Sequence, residues 1–223
     1  MLIARNKNKL DYISHTLKIS YDINIEVIEA DLSKDSDITK VEECINQKDN
    51  LTVLVNCAGF TLRKQFDKQD PLKQLCMIQL HIIASTRLTR AALSKMIMNN
   101  RGIIINVSSL LSLMTLDSNV VYYATKSYLN RFSQNLQLEL KDKNIQIQAL
   151  NPGNTITNFH STEEFSGVEN KYPKLFTMTA EKLVDKSIAA LKRKKVIVVP
   201  GLANQLLVNF RFLFAGIITK SMR

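Results

Sequence analysis

The chain is 223 residues long, 45% hydrophobic and 22% charged, with a formal net charge of +10, so it can bury a sizeable core as one globular domain and lacks the composition of a disordered chain. Its three cysteines, Cys44, Cys57 and Cys76, are odd in number and lack metal-ligand spacing, which argues against a disulfide framework or a metal site and fits a reducing, cytoplasmic setting. No apolar run reaches the length of a membrane span, and Met1 opens into structured sequence without the n-region and cleavage site of a secretory signal.

Short segments, mostly rich in β-branched residues, predict strands at Leu2–Ala4, Ile23–Ile28 and Thr52–Asn56, with an amphipathic helix over Ser36–Gln47. A long helix over Leu75–Met98 leads to a strand at Ile103–Val107. A second, over Tyr122–Leu140, leads to strands at Ile145–Ala149 and Val196–Val199. This alternation predicts a doubly wound, mostly parallel α/β sheet with helices on both faces over residues 1–200. Such a sheet takes its ligands at the carboxyl ends of its strands.

Residues 201–223 form a tail of different character. From Lys186 to Arg223 there is no Asp or Glu, while Lys192, Arg193, Lys194, Lys195, Arg211, Lys220 and Arg223 accumulate. After the break at Pro200-Gly201, Leu202, Leu206, Phe210, Leu213 and Ile217 recur at helical spacing. Two readings stand: a helix covering the domain or a subunit interface with solvated lysines, or peripheral contact with an anionic membrane. Nucleic-acid binding is not expected, because the basic cluster carries no recognition motif or aromatic platform.

The strand ends carry the chemistry. After the strand at 52–56 come Asn56, Cys57, Ala58 and Gly59, a small-residue turn that lets backbone approach a ligand while an amide bridges neighbouring strands. After the next come Ser108 and Ser109, then Tyr122 and Lys126, four apart and therefore on one helix face. A phenol beside an ammonium can do proton chemistry, and the positive charge is expected to favour the phenolate and lower its pKa.

Taken in order, the Asn-Cys-Ala-Gly turn, the Asn-Val-Ser-Ser strand end, Ser109 thirteen residues before Tyr122, the Tyr-x-x-x-Lys pair and Asn151-Pro152-Gly153 followed by Ile156-Thr157 resemble the short-chain dehydrogenase/reductase family, from Met1 to about Pro200. The resemblance implies an oxidoreductase that transfers hydride between a nicotinamide cofactor and a carbonyl or secondary alcohol. In that scheme Tyr122 donates the proton and Lys126 tunes it and meets the nicotinamide ribose. Ser109 donates to the substrate carbonyl, with Ser108 as the structural alternative.

Asn56, Ala58, Gly59, Pro152, Gly153, Ile156 and Thr157 would line the cofactor, the last four as the loop meeting the nicotinamide carboxamide. Arg5, at the end of the first strand, stands where a basic residue accommodates a ribose 2′-phosphate, so NADP(H) is preferred and NAD(H) is the alternative. Asp31 and Leu32 match the segment contacting the adenine, and Asp31 is equally suited to cap the following helix. Phe159–Phe176, with Glu163, Phe165, Gly167 and Tyr172, occupies the substrate-lid position, and the apolar tail hints at a hydrophobic or acyl substrate. A homo-oligomer through the two long helices is expected.

Two departures from the family pattern stand out. His81 occupies the place of an Asn that holds a water in a proton relay. A histidine can bind water and titrates near neutrality, so it is expected either to serve the relay or to be a packed, non-catalytic ring. The second departure is that the glycines at 59, 102, 153, 167, 201 and 216 form no glycine-rich cluster. The family's first strand, turn and helix, which receive the pyrophosphate, have no counterpart. Their absence is expected to leave two strand edges unpaired and a helix-sized gap in one layer. The expected explanation is a start roughly 30 residues upstream. The other is a truncated, non-catalytic protein acting as a membrane-associated or interaction module.

Overall fold

The computed structural model describes residues 1–62, 64–116, 119–157 and 173–210. β1 (Leu2–Ala4) is followed by α1 (Lys7–Tyr21), β2 (Val27–Glu29), α2 (Asp35–Asn46) and β3 (Val53–Asn56). α3 (Pro71–Ile78) continues through a π-helical segment at Gln79–Ala84 into α4 (Ser85–Met98), and β4 (Gly102–Val107), α5 (Val120–Glu139) and β5 (Ile145–Leu150) follow. Then come β6 (Asn154–Ile156), β7 (Thr177–Thr179), α6 (Ala180–Lys192), β8 (Ile197–Val198) and α7 (Leu202–Asn209).

The main sheet is parallel throughout, in the order β3-β4-β5-β8, and β1 and β2 form a second parallel pair. Helices cover the strands because Ile104, Ile145 and Ile147 must leave water, and each is at most 2% exposed. One apolar core joins the main sheet and the β1-β2 pair. Ile28 of β2 packs with Ile38, Val41 and Ile45 of α2 and with Leu88, Ala92 and Met96 of α4, and Ile3 and Leu54 lie against them. This is the expected doubly wound α/β arrangement.

Among the described residues β1 pairs only with β2, and β3 pairs on one side only, with β4. Val53 and Val55 on β3 are 48% and 51% exposed, although parallel strands are ordinarily covered on both faces. The unpaired edges of β1 and β3 are strand edges of the kind expected from the sequence.

Most boundaries differ by one or two residues, and two differ by four. The second strand starts at Val27 rather than Ile23, which is 48% exposed. The helix expected from Leu75 begins at Pro71, because the Asp70 carboxylate accepts from Leu72 N at 2.9 Å and Pro71 needs no amide partner there. Of the expected lid, Glu163, Phe165, Gly167 and Tyr172 lie outside the described residues, as does the tail beyond Phe210. No helix among the described residues is long and apolar enough to cross a membrane.

Candidate active site

α5 starts directly after Asn119, whose left-handed backbone (φ 47°) turns the chain into the helix. Tyr122 therefore lies in the first turn and Lys126 in the next, with Lys126 Nζ 5.9 Å from the centroid of the Tyr122 ring. Lys126 is only 4% exposed, and its Nζ donates to Val107 O at 2.9 Å, at the end of β4. Ser109 opens a 3-10 turn at Leu110–Leu113, and its hydroxyl acts on the Tyr122 phenol, drawing its pKa down. Strand end and helix start thus bring Ser109, Tyr122 and Lys126 together. Ser108 has the structural role: its Oγ donates to Lys126 O at 2.7 Å and meets Ser112 Oγ at 3.1 Å, pinning α5 to the strand.

The electrostatics depart from the expectation. Burial pushes the Tyr122 phenol up to about 12, with the Ser109 hydroxyl acting against it. The lowering expected from Lys126 is not found, because the ammonium is directed at the Val107 carbonyl rather than at the phenol oxygen. Burial also lowers Lys126 to about 8, opposed by the nearby Cys57 thiol. At neutral pH the site therefore holds a protonated phenol and a largely charged ammonium.

His81 sits in the π-helical segment and is fully buried. Its Nε2 accepts from Phe60 N–H at 3.2 Å, and its Nδ1 lies 2.9 Å from Thr125 Oγ1, which donates to Tyr122 O at 2.9 Å. The ring stands edge-on to Tyr122, centroids 5.9 Å apart. Burial, and then the charge of Lys126, lower the imidazole to about 2. An imidazole titrating near neutrality, as expected for a relay, is not what the site contains.

The remaining strand ends supply two clusters. Asn56 Nδ2 donates to Asn106 Oδ1 at 2.8 Å and Thr89 Oγ1 at 3.1 Å, so its amide bridges β3, β4 and α4 as expected of that position. A Cβ on Gly59 would lie 2.8 Å from His81 Nε2 and 3.2 Å from Lys126 Nζ, which is why the turn needs a residue without one. Pro152 and Gly153 follow β5. Pro152 O accepts from Leu110 N at 2.8 Å, tying this loop to the turn after Ser109, and Ile156 beyond it is 62% exposed. Thr157 directly follows β6.

At the other cluster, exposed Arg5 directly follows β1 and acts electrostatically on Asp31. Against burial, which raises it, the Ser33 hydrogen bonds and the charges of Arg5 and Lys34 hold the Asp31 carboxyl below its usual range. Asp31 does not cap α2. Its Oδ1 accepts from Ser33 N and Oγ at 3.1 and 2.7 Å, and Lys34 holds the cap position without a side-chain bond. Leu32 packs against the core.

These two clusters fit the two ends of a nicotinamide dinucleotide: a close-approach turn beside a buried ammonium for the nicotinamide end, and Arg5 near Asp31 for the adenosine end. Spacing did not single out Phe60, Thr125 or Asn204. Thr125 had one faint signal, a polar residue on the inward face of α5 directly before Lys126. Asn204, 1% exposed, gave none, although a Cβ on Gly153 would lie 2.6 Å from its Nδ2.

Comparison with known proteins agrees with this geometry. The chain is 28% identical over 158 residues to a very-long-chain 3-oxoacyl-CoA reductase of Mus musculus, covering 68% of this chain and 50% of that protein. It is 28% identical over 207 residues to an NADP-dependent 3-hydroxy acid dehydrogenase of Schizosaccharomyces pombe, covering 89% and 79%. The chain thus spans only half the length of the mouse relative. A short-chain dehydrogenase from Sphingobium yanoikuyae, solved in complex with NADPH, superposes with a TM-score of 0.84 at 26% identity, over 99% of this chain and 84% of that one. Residues 1–165 match the family described as short chain dehydrogenase. With the parallel sheet and the Ser109–Tyr122–Lys126 cluster at its strand ends, the chain belongs to the short chain dehydrogenase family of oxidoreductases.

Proposed function

We propose that the protein reduces a ketone, or oxidises the matching secondary alcohol, with NADP(H), on a hydrophobic or acyl-bearing small molecule. The observation that carries this reading is the convergence of Ser109, Tyr122 and Lys126, with the Ser109 hydroxyl acting on the phenol and Lys126 Nζ 5.9 Å from its ring. A carbonyl oxygen seated between those hydroxyls receives one hydrogen bond from Ser109 and the proton of Tyr122 as it becomes an alkoxide. Lys126, held against Val107 O one turn further along the helix, keeps a positive charge at this end of the site for the cofactor. When bound, the reduced nicotinamide supplies the hydride. Lys126, Ala58 and Gly59 would hold its ribose and ring, Pro152, Gly153, Ile156 and Thr157 its carboxamide, and Arg5, Asp31 and Leu32 the adenosine end.

Preference for NADP(H) is supported by Arg5 and by the NADP named for the fission-yeast and Sphingobium proteins. The acyl class is supported by the name of the mouse relative. Peripheral contact with an anionic membrane is supported by Leu202 and Leu206 of α7 and Phe210 at its C-terminal cap, which are 73%, 48% and 48% exposed. Assembly through α5 is supported by the stacked Tyr128 and Phe132 rings that helix leaves half-buried at its surface.

The test is NADPH binding and turnover of long-chain 3-oxoacyl thioesters and bulky ketones by the full-length protein. Binding with turnover of either class supports the reading. Absence of NADPH binding would instead favour a non-catalytic interaction module.

A further inference from the structure

We infer that His81 is a strut, present as the neutral Nδ1–H tautomer, that fixes the Asn56–Gly59 turn relative to Tyr122 and Lys126 and carries no proton during turnover. The role in turnover rests on the reductase reading; the tautomer does not.

Donor counting sets the tautomer. Phe60 N–H points at Nε2 from 3.2 Å, so that nitrogen is an acceptor and holds no hydrogen. A neutral imidazole then carries its hydrogen on Nδ1, which donates to Thr125 Oγ1 at 2.9 Å, and the single hydroxyl hydrogen of Thr125 is left for Tyr122 O. Every donor in this chain meets an acceptor. Protonating Nε2 as well would set two N–H groups against each other, with Lys126 Nζ close by around Gly59.

The surroundings also deny the ring a proton path. It is fully buried, and both nitrogens are engaged by protein atoms. The titratable groups near it are Tyr122 and Lys126 from α5, and in the turn Cys57, which acts on Lys126. None accepts or donates a hydrogen bond to the imidazole.

Mechanically, the ring lies between the two parts of the site. One bond holds the amide next to Gly59, and the other holds Thr125, the residue before Lys126, whose hydroxyl reaches the Tyr122 carbonyl. Asn at position 81 can reproduce the Nδ1 bond and Gln the Nε2 bond, but neither makes both. His81→Asn should therefore release the turn and raise KM for NADPH with little change in kcat. His81→Gln should release Thr125 and lower kcat with little change in KM. The shape of the pH–rate profile should match the wild type in both.

Nitrogen-15 spectra of the histidine rings in the full-length protein, without substrate, read the tautomer directly. The expected result is a His81 signal with protonated Nδ1 and bare Nε2 that does not move between about pH 5 and 9. A His81 ring that titrates in that range, or carries its hydrogen on Nε2, overturns the inference. So does either variant reshaping the pH profile. Should both variants fail to fold, the spectrum decides alone. A fixed Nδ1–H ring in a protein that reduces no carbonyl would refute the reductase reading and leave the strut standing.

Discussion

The Ser109 hydroxyl, at the end of a strand, acts on the Tyr122 phenol, in the first turn of the following helix, and draws its pKa down against the effect of burial. Two polar groups that compete for one carbonyl oxygen are thereby brought together before a substrate arrives, so little reorganisation remains for the reaction. Ser109→Ala should lower kcat by about 10²–10³-fold, the usual cost of losing one such donor, while Ser108→Ala should act on stability through the lost bond to Lys126 O. Steady-state kinetics and thermal melts of the two variants separate these roles.

Lys126 is lowered to about 8 by burial, so its positive charge is present at neutral pH and lost above that value. Reductase activity should fall as pH rises through about 8. Lys126→Met should be nearly inactive throughout, with no such limb. A pH–kcat profile from neutral to alkaline checks both.

Arg5 is exposed at the end of β1 beside Asp31, where its guanidinium suits a 2′-phosphate. A charge-assisted hydrogen bond contributes about 1.5–3 kcal/mol, so Arg5→Asp should raise KM for NADPH by about tenfold or more and leave KM for NADH unchanged or lower. Equal effects on both cofactors would place Arg5 outside the recognition of the phosphate.

Burial of His81 gives an acid liability. Its folded value, about 2, lies below the unfolded 6.5, so at intermediate pH only the unfolded chain binds this proton. The associated stability is intact above pH 6.5 and is lost as pH falls from there towards about 2, at up to about 1.4 kcal/mol per pH unit. Chemical denaturation at pH 7 and 5 should show that loss in the wild type and a shallower slope in His81→Gln.

The sheet was legible because its strands are short, β-branched and bounded by polar turns, and the site because its residues follow those strands directly. α1 was not, since the short stripe of Leu10, Ile13 and Leu17 is interrupted by Tyr12, Ile19 and Tyr21, which point to solvent at 73%, 72% and 69% exposure. It is started instead by Asn6 Oδ1, which accepts from Lys9 N at 2.9 Å. The electrostatics of Tyr122 and His81 were misread for a common reason. Spacing reveals which charges are near, but the dominant cause in both is desolvation, which depends on how the fold buries each ring.

The most direct test of the account is turnover by Tyr122→Phe in the full-length protein, assayed alongside NADPH binding. Removing one hydroxyl should lower ketone reduction by about 10²–10⁴-fold while the dissociation constant for NADPH stays within about twofold of wild type. A Tyr122→Phe enzyme that binds NADPH and reduces the ketone at the wild-type rate would contradict the role given to this phenol, and with it the mechanism built on Ser109 and Lys126.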